Sequence, residues 1–185
     1  VKKLKEFSRQ SKFEFTAMDV NDAVLSVLAI TRQQLLNEGV EVELGLSENL
    51  PHVLGDKNQI EQVLLNIISN ARDAMEGCSK KVLAIQTGLD KKGRQVEIRL
   101  SDRGIGMMTE EIEQIFNPFF TTKDSDKGIG LGLSISYRII EAHQGKIEVN
   151  SELNKGTTFI VTLPVYLAGG KRDDENQTRG GNDVS

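Results

Sequence analysis

Residues 57–75, KNQIEQVLLNIISNARDAM, carry two patterns at once. Ile60, Val63, Leu64, Leu65, Ile67, Ile68, Ala71, Ala74 and Met75 occupy most of the circumference of a helix, which predicts a largely buried one ending near Gly77. Gln59, Gln62, Asn66, Asn70 and Asp73 nevertheless recur three and four residues apart and draw one polar stripe along it. Side-chain amides enclosed by apolar neighbours cost free energy unless something bonds them. The stripe therefore either faces water or lets Asn66 and Asn70 reach a cavity holding an oxygen-seeking cation or a phosphate. An asparagine carbonyl is a suitable ligand for Mg²⁺.

Downstream, Val96, Ile98 and Leu100 alternate with Glu97, Arg99 and Ser101, so a strand over 94–102 puts Asp102 on its apolar side. A carboxylate there needs donors. The exocyclic amine of adenine would serve, and bracing its own turn is the plainer use. Gly104 and Gly106 follow at once and let the backbone approach a ligand. From Asp102 to Gly132 the chain is rich in glycine and threonine, with a short helical piece only near Thr109–Ile115; so long an irregular stretch marks a functional loop. It ends in KGIGLGL, residues 127–133, which runs straight into a helix over 132–143 and so lines backbone amides and a positive helix end for phosphates. No Lys-Ser or Lys-Thr follows its last glycine, as a Walker loop requires, and no strand leads into it, as a Rossmann fingerprint requires. Thr157, in phase with Phe159, Val161 and Leu163, brings a hydroxyl to the inner face of the sheet, though strand propensity alone would also account for it.

Outward from these segments, an extended piece near Phe13–Met18 precedes a helix capped by Asn21 or Asp22 and stopped at Gly39. Strands follow at 40–46 and 81–88, the latter forming a hairpin with 94–102, and two more at 145–150 and 157–163. The whole is 185 residues, one domain with some spare chain. With 23 Lys and Arg against 27 Asp and Glu the net charge is −4, and no basic block offers a nucleic acid its backbone partner. No apolar run approaches a membrane span or a signal peptide. A single cysteine, Cys78, allows no internal disulfide and, with two histidines, no zinc site of the usual ligand set. The opening Val1 suggests a piece of a longer protein; 1–14 read as the end of a helix whose beginning is missing, with a linker, and 167–185 as a disordered tail.

In this order the segments resemble the catalytic and ATP-binding domain of sensor histidine kinases, in the superfamily that also holds gyrase B and mismatch-repair ATPases. NIISNARDAM (66–75) is similar to the asparagine box, DRGIG (102–106) to the first glycine box, FNPFFTTK (116–123) to the phenylalanine box, GIGLGLSIS (128–136) to the second glycine box and GTTF (156–159) to the last. The resemblance covers roughly 15–166 and implies a two-layer α/β sandwich of the Bergerat type, a mixed sheet covered on one face by helices, with a lid over 107–132. It implies that Asn70 ligates the Mg²⁺ bridging the phosphates of ATP, with Asn66 assisting and both serving transfer together with Lys123. Asp102 would receive the adenine amine, Gly104 and Gly106 would shape that pocket, and Thr157 would lie near the adenine. Lys123 and Lys127 would supply the lid's positive charge, Gly128, Gly130 and Gly132 its hinges and amides beside Leu131 and Leu133, and Phe119 and Phe120 would dock it. Many members carry a lysine where this chain has Asp73, so at that phosphate contact Arg72 or a lid lysine would stand in.

The activity implied is that of a protein-histidine kinase whose acceptor histidine lies on a separate dimerisation domain, with a response regulator receiver domain downstream, a cytoplasmic setting, and neither nucleic acid nor membrane contacted by this piece. Neither His52 nor His143 fits the acceptor; both read as structural or exposed. ATP-hydrolysing relatives place a glutamate one turn before the metal asparagine, where this chain has Asn66, which supports a kinase. The rivals are an ATP-hydrolysing clamp of the gyrase type, a nucleotide-binding module without transfer activity, and a serine-directed kinase of the anti-sigma type.

Overall fold

The computed structural model describes residues 14–122 and 129–167. In chain order its elements are β1 (Thr16–Met18), α1 (Val20–Asn37), β2 (Glu41–Leu46), β3 (Val53–Gly55), α2 (Lys57–Ala74), β4 (Val82–Leu89), β5 (Gln95–Asp102), α3 (Thr109–Ile112), α4 (Gly132–Ala142), β6 (Lys146–Glu152) and β7 (Gly156–Pro164). Five strands form one sheet in the order β2-β4-β5-β7-β6. β2 and β4 run parallel, which their crossover through α2 permits, and the remaining pairs are antiparallel. Asp90 closes the β4–β5 hairpin by accepting the N–H groups of Arg94 and Gln95 at 2.6 and 2.9 Å.

The strand period sorts the two faces. Val96, Ile98, Leu100 and Asp102 of β5 are buried, while on the other face Arg99 pairs with Glu97 at 2.7 Å. The three long helices cover the buried face, with α2 packed between α1 and α4. Ile60, Val63, Leu64, Ile67, Ile68 and Ala71 of α2 lie in the core, each large side chain contributing about 1.5–3 kcal/mol of burial, so α2 is anchored along its length. This is the two-layer sandwich that the resemblance implies, with helices on one face of a mixed sheet.

Three local features depart from the sequence reading. The cap of α1 is Asp19, whose side chain accepts the N–H of Asn21, instead of Asn21 or Asp22. Asn21 is engaged elsewhere: its amide donates to Ser47 O at 2.9 Å and accepts from Thr87 Oγ1 at 2.8 Å, tying α1 to the ends of β2 and β4. The helix expected over 109–115 stops at Ile112. β3 was not expected; it pairs with β1 in a small antiparallel sheet beside the start of α2.

His143 fastens that corner. The ring is buried (2% exposed), its Nδ1 lies 2.7 Å from Ile139 O and its Nε2 is 3.0 Å from the amide of Asp56, the cap of α2. A carbonyl can only accept and an amide can only donate, so the two partners fix the Nδ1–H tautomer. His143 is thus the structural histidine of the two readings given above, and His52 is the exposed one. The expected helix remnant and tail lie, apart from Glu14 and Leu167, outside the described residues.

Candidate functional site

Asp102 ends β5 on the buried face, 6% exposed. Its Oδ1 accepts the amides of Gly104 at 2.8 Å and Thr157 at 3.3 Å, so the loop after β5 and the start of β7 are gathered on one carboxylate oxygen. Burial pushes this carboxyl above its ordinary value of 3.8, against the backbone N–H groups of Gly104, Thr157 and Asp102 itself, which favour the charged form. The bonds from Gly104 and Thr157 both fall on Oδ1. A largely buried carboxylate in that position is placed to take a further donor from outside the chain.

The loop after Asp102 docks on the last turn of α2. Ile105 donates its N–H to Ala74 O at 3.0 Å, and a Cβ on Gly104 would stand 2.6 Å from that oxygen and 2.8 Å from Ala74 Cβ. Only glycine fits there. Gly106 backs onto Glu152 of β6. Asn70 lies one turn before Ala74, so this docking brings the carboxylate and the polar stripe of α2 to one end of the molecule.

On the stripe, Asn66 donates through Nδ2 to Gly132 O and to Ser136 Oγ, both at 3.1 Å, while Ser136 Oγ donates to the same carbonyl at 2.9 Å. Ser136 is fully buried. Because Gly132 O can only accept, the atom of Asn66 that bonds it must be the amide nitrogen, whatever orientation is first assigned. Asn66 therefore braces α2 against the point where the glycine-rich loop enters α4. Asp73 accepts Arg72 Nη2 at 2.6 Å, and Arg72 Nε lies 3.6 Å from Glu38 Oε2 at the end of α1. Arg72 lines the groove between α1 and α2 with Thr31 and Gln34, so the arginine proposed to stand in at the phosphates is committed to Asp73 and Glu38.

The expected lid is described at its two ends. Phe119 donates its N–H to Gly130 O at 2.9 Å, and Gly130, at φ +72°, lies so close that a Cβ would be 2.6 Å from Phe119 C. The two ends are thereby pinned side by side. Phe120 packs on the core, whereas Phe119, at φ +68°, is 71% exposed; the pair expected to act together is split. Leu131 caps α4, Gly132 opens it and Leu133 packs against the core. Lys123, Lys127 and Gly128 lie outside the described residues.

Thr157 is buried beside Asp102, and its Oγ1 is 2.9 Å from Ser151 Oγ. Ser151 and Ser136 escaped the sequence reading. Ser136 could have been found from its place four residues after Gly132, where a helical serine bonds the preceding turn. Ser151 meets Thr157 only through the β6–β7 register, which no local pattern signals.

A mixed sheet under one helical layer, with a buried carboxylate at a strand end and an amide-bearing helix beside a glycine-rich loop, defines a nucleotide-binding catalytic domain. Residues 55–167 match the family described as histidine kinase-, DNA gyrase B-, and HSP90-like ATPase. Sporulation kinase E of Bacillus subtilis (strain 168) is 42% identical over 137 residues, covering 74% of this chain and 18% of that protein. The catalytic domain of histidine kinase ThkA superposes with a TM-score of 0.72 at 31% identity, over 82% of this chain and 96% of that one. ThkA solved in complex with response regulator protein TrrA superposes with a TM-score of 0.70 at 26% identity, over 89% and 46%. The chain belongs to the histidine kinase-, DNA gyrase B-, and HSP90-like ATPase family, as an ATP-binding catalytic domain of the histidine-kinase kind. It spans less than a fifth of the length of that Bacillus relative. Among the described residues no helix is long and apolar enough to cross a membrane.

Proposed function

We propose that this domain, residues 15–166, binds ATP with Mg²⁺ and donates the γ-phosphate to a histidine on a separate dimerisation domain of its parent, from which a response regulator receiver domain takes it. The observation that carries the reading is Asp102: a desolvated carboxylate beside Thr157, joined through the last turn of α2 to Asn70. Its Oδ2 accepts the adenine amine, and burial makes that bond worth more than it would be in water.

An amide oxygen suits a cation whose other ligands are water and substrate phosphates. Asn70 would be the ligand in this reading, with Asn66 one turn earlier assisting. Mg²⁺ held there would neutralise negative charge on the phosphates. Gly128, Gly130 and Gly132, with Lys123 and Lys127, would hold the phosphates from the lid side, and the bond from Phe119 to Gly130 ties the two described stretches of the lid together. The acceptor's neutral imidazole nitrogen attacks the γ-phosphorus, the bond to the β,γ-bridging oxygen breaks, ADP leaves, and the imidazole proton passes to solvent. A nucleophile of that kind needs alignment more than a base. Asn66 supports transfer over hydrolysis, because its amide is tied to α4 and cannot activate water as a carboxylate would.

With γ-labelled ATP and Mg²⁺, the chain alone is expected to take up no label, and a dimerisation hairpin from the same parent is expected to become labelled in trans through an acid-labile bond. Steady release of phosphate without any acceptor, or acid-labile label on His52 or His143, would overturn the reading.

A further inference from the structure

Ser151 lies on β6 opposite Thr157 of β7 and takes part in three hydrogen bonds. Its Oγ accepts the N–H of Met107 at 2.9 Å, lies 3.1 Å from Gly156 O, and lies 2.9 Å from Thr157 Oγ1. A serine hydroxyl holds one proton and two acceptor sites. The carbonyl of Gly156 can only accept, so the serine proton must go to it; otherwise two acceptors would face each other at 3.1 Å. Both acceptor sites of Ser151 are then filled, by the amide of Met107 and by the proton of Thr157. One arrangement of protons satisfies every partner. In it the hydroxyl of Thr157 points its proton at Ser151 and keeps only acceptor character on its remaining side.

We propose that Ser151 is a positioning residue for base selection: by consuming the proton of Thr157 it makes the base end of the site acceptor-only. The inference rests on the placement of adenine at Asp102 and Thr157 given above. Asp102 Oδ2 and Thr157 Oγ1 then both accept, which matches an exocyclic amine with two N–H groups and mismatches the carbonyl oxygen that guanine and hypoxanthine carry at the same ring position. A site built to bond a substrate N–H discriminates strongly against an analogue that lacks it, because the buried acceptors are left unpaired. The amide of Met107 begins the loop after Gly106, so the same hydroxyl also fixes the root of that loop against β6.

The test uses the chain with ADP and IDP, whose bases differ at that ring position, and reads the ratio of their dissociation constants by calorimetry. The parent chain is expected to prefer ADP. Ser151→Ala frees the Thr157 hydroxyl to rotate and donate, so the ratio is expected to fall about tenfold, largely through tighter IDP binding. Ser151→Thr keeps the oxygen and is expected to restore the ratio. A general loosening of the fold would weaken both nucleotides together and leave the ratio unchanged; that result, or an unchanged ratio in a stably folded Ser151→Ala, overturns the role of Ser151. A parent chain that binds neither nucleotide overturns the proposed function and this inference with it, whereas one that discriminates equally with and without Ser151 overturns this inference alone.

Discussion

Asp102 and Asn70 meet at the same end of α2 but are held there by different means. Around Asp102 the fixing groups are backbone: the amides of Gly104 and Thr157 on one carboxylate oxygen, and the Gly104–Ile105 turn pressed on Ala74. Along the stripe that carries Asn70 the fixing groups are side chains, with Asn66 tied to Ser136 and Asp73 to Arg72. The end proposed to hold the base is thus assembled by folding itself, since its geometry follows wherever β5, β7 and α2 pack. The end proposed for the phosphates depends on residues that can change one at a time without unseating the sheet.

The largest expected effect comes from the backbone-built end. In Gly104→Ala the new Cβ meets the backbone oxygen of Ala74, which cannot move without displacing α2. Overpacking of this kind costs about 1–3 kcal/mol or more, so thermal denaturation of the variant is expected to shift down by roughly 3–10 °C with nucleotide binding lost. An unchanged midpoint would show that the loop does not depend on its close approach to α2.

A smaller and opposite effect on stability is expected for Asp102→Asn. Burial raises the folded-state carboxyl above 3.8, so the folded chain holds that proton more tightly than the unfolded one. Its contribution to stability is therefore greatest below 3.8, declines as pH rises through the raised value, and is least favourable at neutral pH. The neutral asparagine escapes this cost. Without nucleotide, Asp102→Asn should melt above the parent at neutral pH, with the gap closing on acidification, yet bind ADP more weakly. A gap that widens toward low pH would contradict the burial argument.

The base end was also the more legible in sequence. The period of β5 put Asp102 on the buried face, and the glycines after it announced the close approach, because both are local consequences of backbone geometry. The polar stripe of α2 was legible as a stripe, but what each amide does was not. Asn66 finds Ser136 seventy residues away, and Arg72 turns to Glu38 on α1; both partners are set by helix packing. The cap of α1 was misread for a related reason. Asp19, Asn21 and Asp22 all have capping side chains, and only the tertiary bonds of Asn21 to Ser47 and Thr87 decide among them. β3 has three residues between Pro51 and the cap of α2, too short to show a period.

The measurement that separates the two ends most directly is calorimetric titration of ADP into the parent, Asp102→Asn and Asn70→Ala, each with Mg²⁺ and with a chelator. If the base end is assembled by the fold and the phosphate end through Asn70 and its cation, Asp102→Asn weakens binding by roughly tenfold to a hundredfold under both conditions. Asn70→Ala, in the same account, removes only the increment that Mg²⁺ adds and leaves the chelated affinity at the parent's value. Loss of chelated affinity in Asn70→Ala equal to its loss with Mg²⁺, or parental binding by Asp102→Asn, would contradict it.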